Sequence, residues 1–163
     1  MSYTRLVVAF SLLVSLVFAQ APPATLAVQG DVATPLSLTS EDLAKMPRET
    51  ASVPAADGSK IVYQGVALRA VLEKAGAPFG KKLRGKVLTT YVLAKAMDGY
   101  QVLFTLGELD PDFGNETILV ADTRDGKPLG EKQGPFRLVC PNDHEGARSV
   151  RMLQTLEVVR LAK

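Results

Sequence analysis

Three Asp-Gly pairs constrain how the chain can fold more than any other feature: Asp57-Gly58, Asp98-Gly99 and Asp125-Gly126. Glycine in the second position tolerates positive φ, so such a pair can reverse the chain between neighbouring antiparallel strands. Apolar runs flank the first two pairs, and the third pair ends another apolar run. The sequence therefore predicts two hairpins and a sheet that is largely antiparallel.

Short apolar segments beside these turns have the length and composition of strands. The predicted strands are residues 26–28, 36–38, 51–54, 61–63, 87–94, 100–105, 118–121, 136–140 and 156–161. No fixed-period repeat accompanies them, and no segment is long enough to serve as a linker between domains.

Short helices are predicted between the strands. Thr39 and Asp42 form a capping-box-like start for the first helix. An apolar stripe at helical spacing runs through residues 68–75, and Gly76 is placed to end that helix. Residues 106–109 are predicted to form one further helical turn. The predicted fold class is α+β, with a mixed, largely antiparallel sheet and short helices.

The N-terminal segment has the pattern of an export signal. Arg5 precedes an apolar run over residues 6–18, and the small-residue site Val17-Phe18-Ala19 closes it. The run is shorter than the roughly 20 residues that a membrane-spanning helix needs, which makes a permanent anchor the weaker alternative. We predict a signal peptide over residues 1–19 and a periplasmic or secreted protein with no membrane span after cleavage.

Cleavage of 19 of the 163 residues would leave a mature chain of 144 residues, whose length and charge limit the possible folds and partners. A chain of this size fits one domain, so residues 20–163 are predicted to form a single domain with its own core. Removing the signal removes Arg5 alone among charged groups, and the net charge falls from +2 to +1. This near-neutral balance gives no case for a nucleic-acid partner.

Cys140 is the only cysteine, so no disulfide can form within one chain. It shares one face of a predicted strand with Phe136 and Leu138, and a free cysteine often behaves as a small buried apolar residue. Burial in the core is the preferred interpretation. A free thiol and a bridge between chains are the alternatives.

Two arginines follow Gly146 at a spacing of three residues, Arg148 and Arg151. They would lie close together if the segment were helical, and guanidinium groups bind phosphate through paired hydrogen bonds. The alternative is a pair of solvated arginines, or partners for the nearby Asp143 and Glu145. Composition alone favours that alternative.

His144 is the only histidine, and it lies in a polar loop with no metal-ligand spacing around it. An exposed loop histidine is the preferred interpretation, with a ligand contact beside Arg148 as the alternative. The sequence therefore assigns no catalytic residue and no metal site.

Five blocks, in this order, resemble the molybdopterin-binding domain of the sulfite oxidase family. They are residues 63–76, Asp98-Gly99-Tyr100, residues 125–129, residues 134–139 and residues 146–151. The resemblance runs from about residue 26 to residue 161 and implies that family's fold. In the family the last block lies at the pterin and substrate pocket. The resemblance therefore makes Arg148, Ser149, Arg151 and His144 the candidate cofactor-binding residues.

One departure from the family bears on function. Family enzymes hold molybdenum through a cysteine thiolate, and the corresponding region here, residues 53–58, contains no cysteine. We therefore expect an exported binding or accessory module without molybdenum catalysis and without a cofactor, acting on an anionic small molecule or a protein partner. The alternative is an oxidoreductase domain that binds molybdopterin in an unusual way.

Overall fold

The computed structural model describes residues 24–161, so the predicted signal peptide lies outside the described residues. The strands are β1 (Leu26–Gly30), β2 (Leu36–Leu38), β3 (Glu49–Pro54), β4 (Lys60–Ala67), β5 (Thr90–Ala96), β6 (Gln101–Thr105), β7 (Leu119–Arg124), β8 (Lys127–Pro128), β9 (Arg137–Val139) and β10 (Leu153–Arg160). The helices are α1 (Ser40–Ala44), α2 (Leu68–Lys74) and α3 (Leu106–Leu109). Short 3-10 turns occupy Gly80–Lys82, Gly85–Thr89 and Gly146–Arg148.

The strands form two sheets. The first has the order β2-β1-β10-β5-β6, and the second has the order β3-β4-β7-β8 with β9 also paired to β7. Every neighbouring pair is antiparallel except β1 and β10, which run parallel. The predicted fold class is confirmed: the molecule is α+β, and its sheets are mixed and largely antiparallel.

Local signals in the sequence set the helix ends. At α1 the Thr39 hydroxyl accepts from the Asp42 N–H, and the Asp42 carboxylate accepts from the Thr39 N–H, which completes the predicted capping box. The helix α2 buries its apolar stripe and ends before Gly76, whose φ is +83°. These caps satisfy backbone groups that a short helix would otherwise leave without partners.

The main core joins both sheets to α2. It buries side chains from each of them, including Val28, Val66, Leu72, Val92, Phe104, Leu138 and Leu156. A smaller cluster, composed of Ala51, Tyr63, Leu119, Ala121 and Val139, lies on the opposite face of the second sheet. As a result β9 is buried on both sides, with Leu138 in one cluster and Val139 in the other.

The structure corrects one predicted strand and revises the bounds of others. Residues 87–89, expected to begin a strand, belong instead to the 3-10 turn Gly85–Thr89, and β5 starts at Thr90. A short run of apolar and β-branched residues does not by itself distinguish the end of a tight turn from the start of a strand. The last strand starts earlier than expected, at Leu153, because it pairs along its length with β5. Among the described residues, no helix combines the length and apolar composition needed to cross a bilayer.

Candidate functional site

A polar cavity of about 240 Å³ opens between the β5–β6 hairpin and the segment after β9. It is lined by Asp98, Tyr100, Gly146, Ala147, Ser149 and Arg151. The Tyr100 hydroxyl donates to the Ala147 carbonyl at 2.8 Å, and the Asp98 carboxylate accepts from the Tyr100 N–H at 3.0 Å. The first bond joins the two walls of the cavity, and the second is local to the β5–β6 hairpin. We call this cavity the polar pocket.

The backbone next to Arg151 is held in a conformation that most residues avoid. Met152 has φ +49°, in the left-handed region, where a non-glycine residue costs of order 1 kcal/mol or more. Its N–H donates to the Gln133 carbonyl at 3.0 Å, and its own carbonyl accepts from the Met97 N–H at 2.9 Å. The two bonds hold this strained residue in place and so direct Arg151 toward the polar pocket.

Arg151 carries the positive charge of the polar pocket. Its side chain is exposed and forms no ion pair with any residue between 24 and 161. Ser149 lies beside it, and the Ser149 hydroxyl accepts from the Cys140 N–H at 3.0 Å. The hydroxyl proton of Ser149 is left to donate to a ligand. Ser149 and Arg151 are thus two predicted site residues that the fold brings together.

Arg148 has a different role. Its guanidinium donates to both carboxylate oxygens of Asp143, at 2.8 and 2.7 Å, and to Glu108 at 2.8 Å. It also stacks over the Phe104 ring, 5.2 Å from the centroid. The hydrogen bonds from Arg148 to Asp143 raise the pKa of Arg148 and lower that of Asp143. Arg148 therefore ties loops together, and the pairing with Asp143 considered from the sequence is present.

Arg148 and Arg151 would lie close together only if the segment were helical, and this condition is not met. The 3-10 turn ends at Arg148, and Ser149 has φ −79° and ψ 79°, so the chain leaves helical geometry between the two arginines. His144 lies exposed in the loop, as expected, and does not line the polar pocket. Arg148 and His144 are not among the residues that line the cavity, and their roles as ligand contacts stay predictions.

Arg137 is a cation that the sequence analysis did not single out. It lies on β9, and its guanidinium donates to the Tyr63 hydroxyl at 3.0 Å and to the Gln133 side chain while stacking 4.9 Å over the Tyr63 ring. Burial, and the positive charges of Arg151 and Arg124, lower the pKa of Arg137. A half-buried cation whose side-chain hydrogen-bond partners are neutral would be stabilised by an anion nearby.

Two further residues, Asp98 and Tyr100, line the polar pocket, although the sequence predicts only a hairpin at their position. They belong to the Asp-Gly-Tyr block that carries the family resemblance. Arg137 lies in another of those blocks, residues 134–139. Asp98, Tyr100 and Arg137 could be identified as candidate site residues from the sequence by treating every charged or polar residue in the matching blocks as a candidate.

Cys140 is poorly placed to act as a metal ligand. Its side chain is 5% exposed and belongs to the main core, which confirms the burial predicted for it. Burial, with a smaller contribution from Asp143, raises the pKa of Cys140 to about 12, so the thiol holds its proton at neutral pH. Residues 24–161 contain no cluster of three His, Cys, Asp or Glu side chains suited to a metal ion.

The donor set of the polar pocket fits the polar end of a pterin cofactor better than its metal. Arg151 and the Ser149 hydroxyl can donate to a phosphate, and the Asp98 carboxylate can accept from ring amide or amine groups. The backbone at Gly146 carries no Cβ, and its position meets no neighbouring atom within 4 Å, so a ligand can approach closely. No soft thiolate ligand is among these groups.

Comparison with known proteins agrees with this assignment of the fold. The family described as Oxidoreductase molybdopterin binding domain matches residues 18–162. Among solved structures, the sulfane dehydrogenase SoxCD from Paracoccus pantotrophus is similar, with a TM-score of 0.62 and 24% identity. The match covers 83% of this chain and 38% of that chain, so this chain spans well under half of its structural relative. No curated protein matches the sequence at a significant level.

Proposed function

Because the chain belongs to the oxidoreductase molybdopterin binding domain family, we propose that its polar pocket binds an anionic ligand of the molybdopterin type. We further propose that it acts as an exported binding or accessory module that performs no molybdenum catalysis of its own. The single observation that carries the proposal is the Arg151 guanidinium, which faces the pocket without an ion-pair partner among residues 24–161.

The charges around the polar pocket support an anionic ligand. A second cation, Arg137, lies close enough for the charge of Arg151 to lower its pKa. Arg137 is half buried, and its side-chain hydrogen-bond partners are neutral. Guanidinium groups pair with phosphate or carboxylate through hydrogen bonds assisted by charge. An anion bound at Arg151 would also lower the electrostatic cost of keeping Arg137 half buried.

The chemistry of the metal gives the reason for proposing a noncatalytic role. A molybdopterin cofactor supplies redox chemistry through its metal, and in the family a protein thiolate completes the coordination of that metal. The only cysteine of this chain is Cys140, whose thiol is buried and has a pKa of about 12. The residues present therefore suit the pterin and its phosphate but not a thiolate-held metal.

A second candidate function follows from the extent of the family match. The match spans residues 18–162, and the second candidate is therefore an oxidoreductase domain that binds its molybdopterin cofactor in an unusual way.

Export is also part of the proposal, and it rests on the signal-like pattern of residues 1–19. Sequencing the N-terminus of protein recovered from the periplasm or the medium tests it, and a start near Gln20 is the expected result.

The first experiment measures pterin and molybdenum in protein purified from its own host. Oxidised pterin fluorescence reports the cofactor, and elemental analysis reports the metal. We expect pterin with little molybdenum in the wild-type protein, and a loss of pterin of about 10-fold in Arg151→Gln, consistent with one lost charged contact. The control, Arg84→Gln, removes an exposed arginine paired with Asp112 outside the polar pocket and should leave pterin unchanged.

Each of the other results has a defined meaning. Molybdenum near one atom per chain would overturn the noncatalytic role and favour the second candidate. If no pterin is present, titration with inorganic phosphate tests the wider proposal of an anion site. Phosphate binding that Arg151→Gln abolishes would support that site, whereas binding of neither probe would overturn it.

A further inference from the structure

The segment between α2 and β5 is strongly basic. Residues 74–97 contain six lysines and arginines and no aspartate or glutamate, although the net charge of the whole chain is only +2. Four of these cations are exposed within residues 80–86, which we call the basic loop. They are Lys81, Lys82, Arg84 and Lys86. Positive charge is therefore concentrated on one short stretch of the surface.

Three of these four cations have no carboxylate partner in the described part of the chain. Arg84 pairs with Asp112 at 3.2 Å. Lys81, Lys82 and Lys86 form no ion pair with any residue between 24 and 161. Exposed like charges that lie this close together repel one another, within the distance over which salt screens them. Carboxylates brought to the basic loop from outside would relieve this repulsion.

The fold holds the backbone of the basic loop in place at three points. The fully buried Asp110 carboxylate accepts from the Gly80 N–H at 2.6 Å. Leu83 is buried in the main core, and the Thr89 hydroxyl donates to the Lys86 carbonyl at 2.8 Å. Burying a carboxylate is costly unless it is hydrogen-bonded, so Asp110 ties the loop firmly to the body of the molecule. A backbone fixed in this way lowers the entropy that binding must remove.

An exposed aromatic side chain adjoins the basic loop. The Phe113 ring is 50% exposed, and the Arg84 guanidinium stacks 5.1 Å from its centroid. The Phe113 N–H donates to the Asp110 carbonyl at 3.0 Å, so one buried aspartate holds both the loop and the aromatic residue. Aromatic and arginine side chains are enriched where proteins bind one another, and polar groups surround them. The surface therefore combines an apolar contact with several free positive charges.

Asp112 favours a protein partner over an anionic membrane surface. Its side chain is 54% exposed and lies next to Phe113 in the chain. Insertion of Phe113 into a bilayer would bring the Asp112 carboxylate against anionic headgroups, which repel it. A folded protein can place its carboxylates opposite the lysines and leave the pair of Asp112 with Arg84 intact.

We propose that the basic loop and Phe113 form the docking surface for an acidic protein partner. In this complex, carboxylates of the partner pair with Lys81, Lys82 and Lys86, and an apolar depression on the partner receives the Phe113 ring. None of these residues lines the polar pocket, so the inference does not depend on the proposed ligand.

A defined peptide tests whether this surface selects acidic side chains. The probe is a fluorescent peptide of sequence Glu-Glu-Glu-Leu-Leu-Glu-Glu-Glu, and its anisotropy reports binding to the purified protein. Lys81→Glu combined with Lys82→Glu should weaken binding by at least about 10-fold, because attraction becomes repulsion at two positions. The matched control combines Lys60→Glu with Lys127→Glu, which reverses two exposed charges on the second sheet. Its effect should be less than about 2-fold.

Photocrosslinking in the host identifies the partner itself. Phe113→p-benzoylphenylalanine keeps an aromatic side chain at the surface. It should join the chain to a protein that mass spectrometry identifies and whose sequence has a net negative charge. Adding Lys81→Glu and Lys82→Glu to the same chain should remove the crosslink. The same crosslinker at Val62, an exposed residue of the other sheet, should not form it.

Circular dichroism of each variant separates a lost surface from a lost fold. Peptide binding that Lys81→Glu with Lys82→Glu leaves unchanged would overturn the proposal. So would the absence of a crosslink at position 113, or a crosslinked protein with a net positive charge. Vesicles of phosphatidylcholine and phosphatidylglycerol provide the remaining comparison. If the wild-type protein binds these vesicles but not the peptide, the surface serves a membrane and the protein partner is ruled out.

Discussion

At the scale of single residues, two arginines three positions apart have opposite roles because of what surrounds them. The guanidinium of Arg148 donates hydrogen bonds to Asp143 and Glu108. Arg151 faces the polar pocket and has no carboxylate partner among residues 24–161. The difference arises from the backbone, which leaves helical geometry at Ser149. Of the two, Arg148 contributes to stability and Arg151 is available to a ligand.

This division predicts different effects of the same substitution. Arg148→Ala should lower the free energy of unfolding by about 1 to 2 kcal/mol, because it leaves two carboxylates without their partner. The expected loss of stability is modest because the Arg148 side chain is 38% exposed and solvent screens its charge. Arg151→Ala should change that free energy by less than about 0.5 kcal/mol. Urea denaturation of both variants measures the difference, and equal losses would contradict the division.

At the scale of elements, the pairing of β4 with β7 depends on a glycine. The register of this pair shifts between Gln64 and Gly65, which marks an irregularity in the ladder. A Cβ placed on Gly65 would lie 2.1 Å from the Val120 carbonyl oxygen, which is backbone and cannot move aside alone. The glycine in this block of the family resemblance is therefore required by the close approach of two strands.

Gly65→Ala should lower the free energy of unfolding by at least about 2 kcal/mol, because the strands must separate to admit the methyl group. The control is Gly107→Ala in α3, where the nearest atom to the added Cβ lies 4.0 Å away. There alanine should be neutral or slightly stabilising, since it favours helix. Thermal and urea denaturation of the two variants compare them. A Gly65→Ala protein as stable as the wild type would show that the strands adjust without cost.

At the scale of the whole molecule, buried and bonded carboxylates link stability to pH. The hydrogen bonds from Arg148 lower the pKa of Asp143. Burial acts to raise the pKa of Asp122 and of Asp110. Hydrogen bonds more than offset this effect, from Arg48 and Thr123 to Asp122 and from two backbone N–H groups to Asp110. All three carboxyls therefore have a pKa below the ordinary value of 3.8 in the folded protein.

A carboxyl whose pKa is lower in the folded state stabilises the protein above its unfolded pKa and loses this effect as pH falls. We therefore expect stability to be nearly constant from about pH 8 to 5 and to fall below about pH 4. Asp122→Asn should cost about 1 to 3 kcal/mol at pH 7, through its two bonds with Arg48, and the difference should shrink toward pH 2.

Urea denaturation at several pH values tests this dependence, with Glu131→Gln as the control. Glu131 is exposed and forms no ion pair with residues in the described part of the chain. Its variant should follow the wild-type curve. An Asp122→Asn protein whose deficit stayed the same at low pH would show that the pair contributes through packing and not through charge.

Local features of the fold could be predicted because neighbouring residues decide them. The capping box of Thr39 and Asp42, the hairpin at Asp57-Gly58 and the buried stripe of α2 each depend on residues within a few positions of one another. The polar pocket was predicted in part, through Ser149 and Arg151. Asp98 and Tyr100 were not, because a hairpin signal does not reveal which loop lies opposite.

The sequence by itself determined the α+β class, the turns, the helix caps and the burial of Cys140, since spacing and composition encode local backbone conformation and apolar faces. Only the tertiary structure decided which distant groups meet. It paired β1 parallel to β10, joined Arg148 to Glu108 across 40 residues and set Arg137 against Tyr63. Such contacts follow from how the whole chain packs its core, and no local pattern records them.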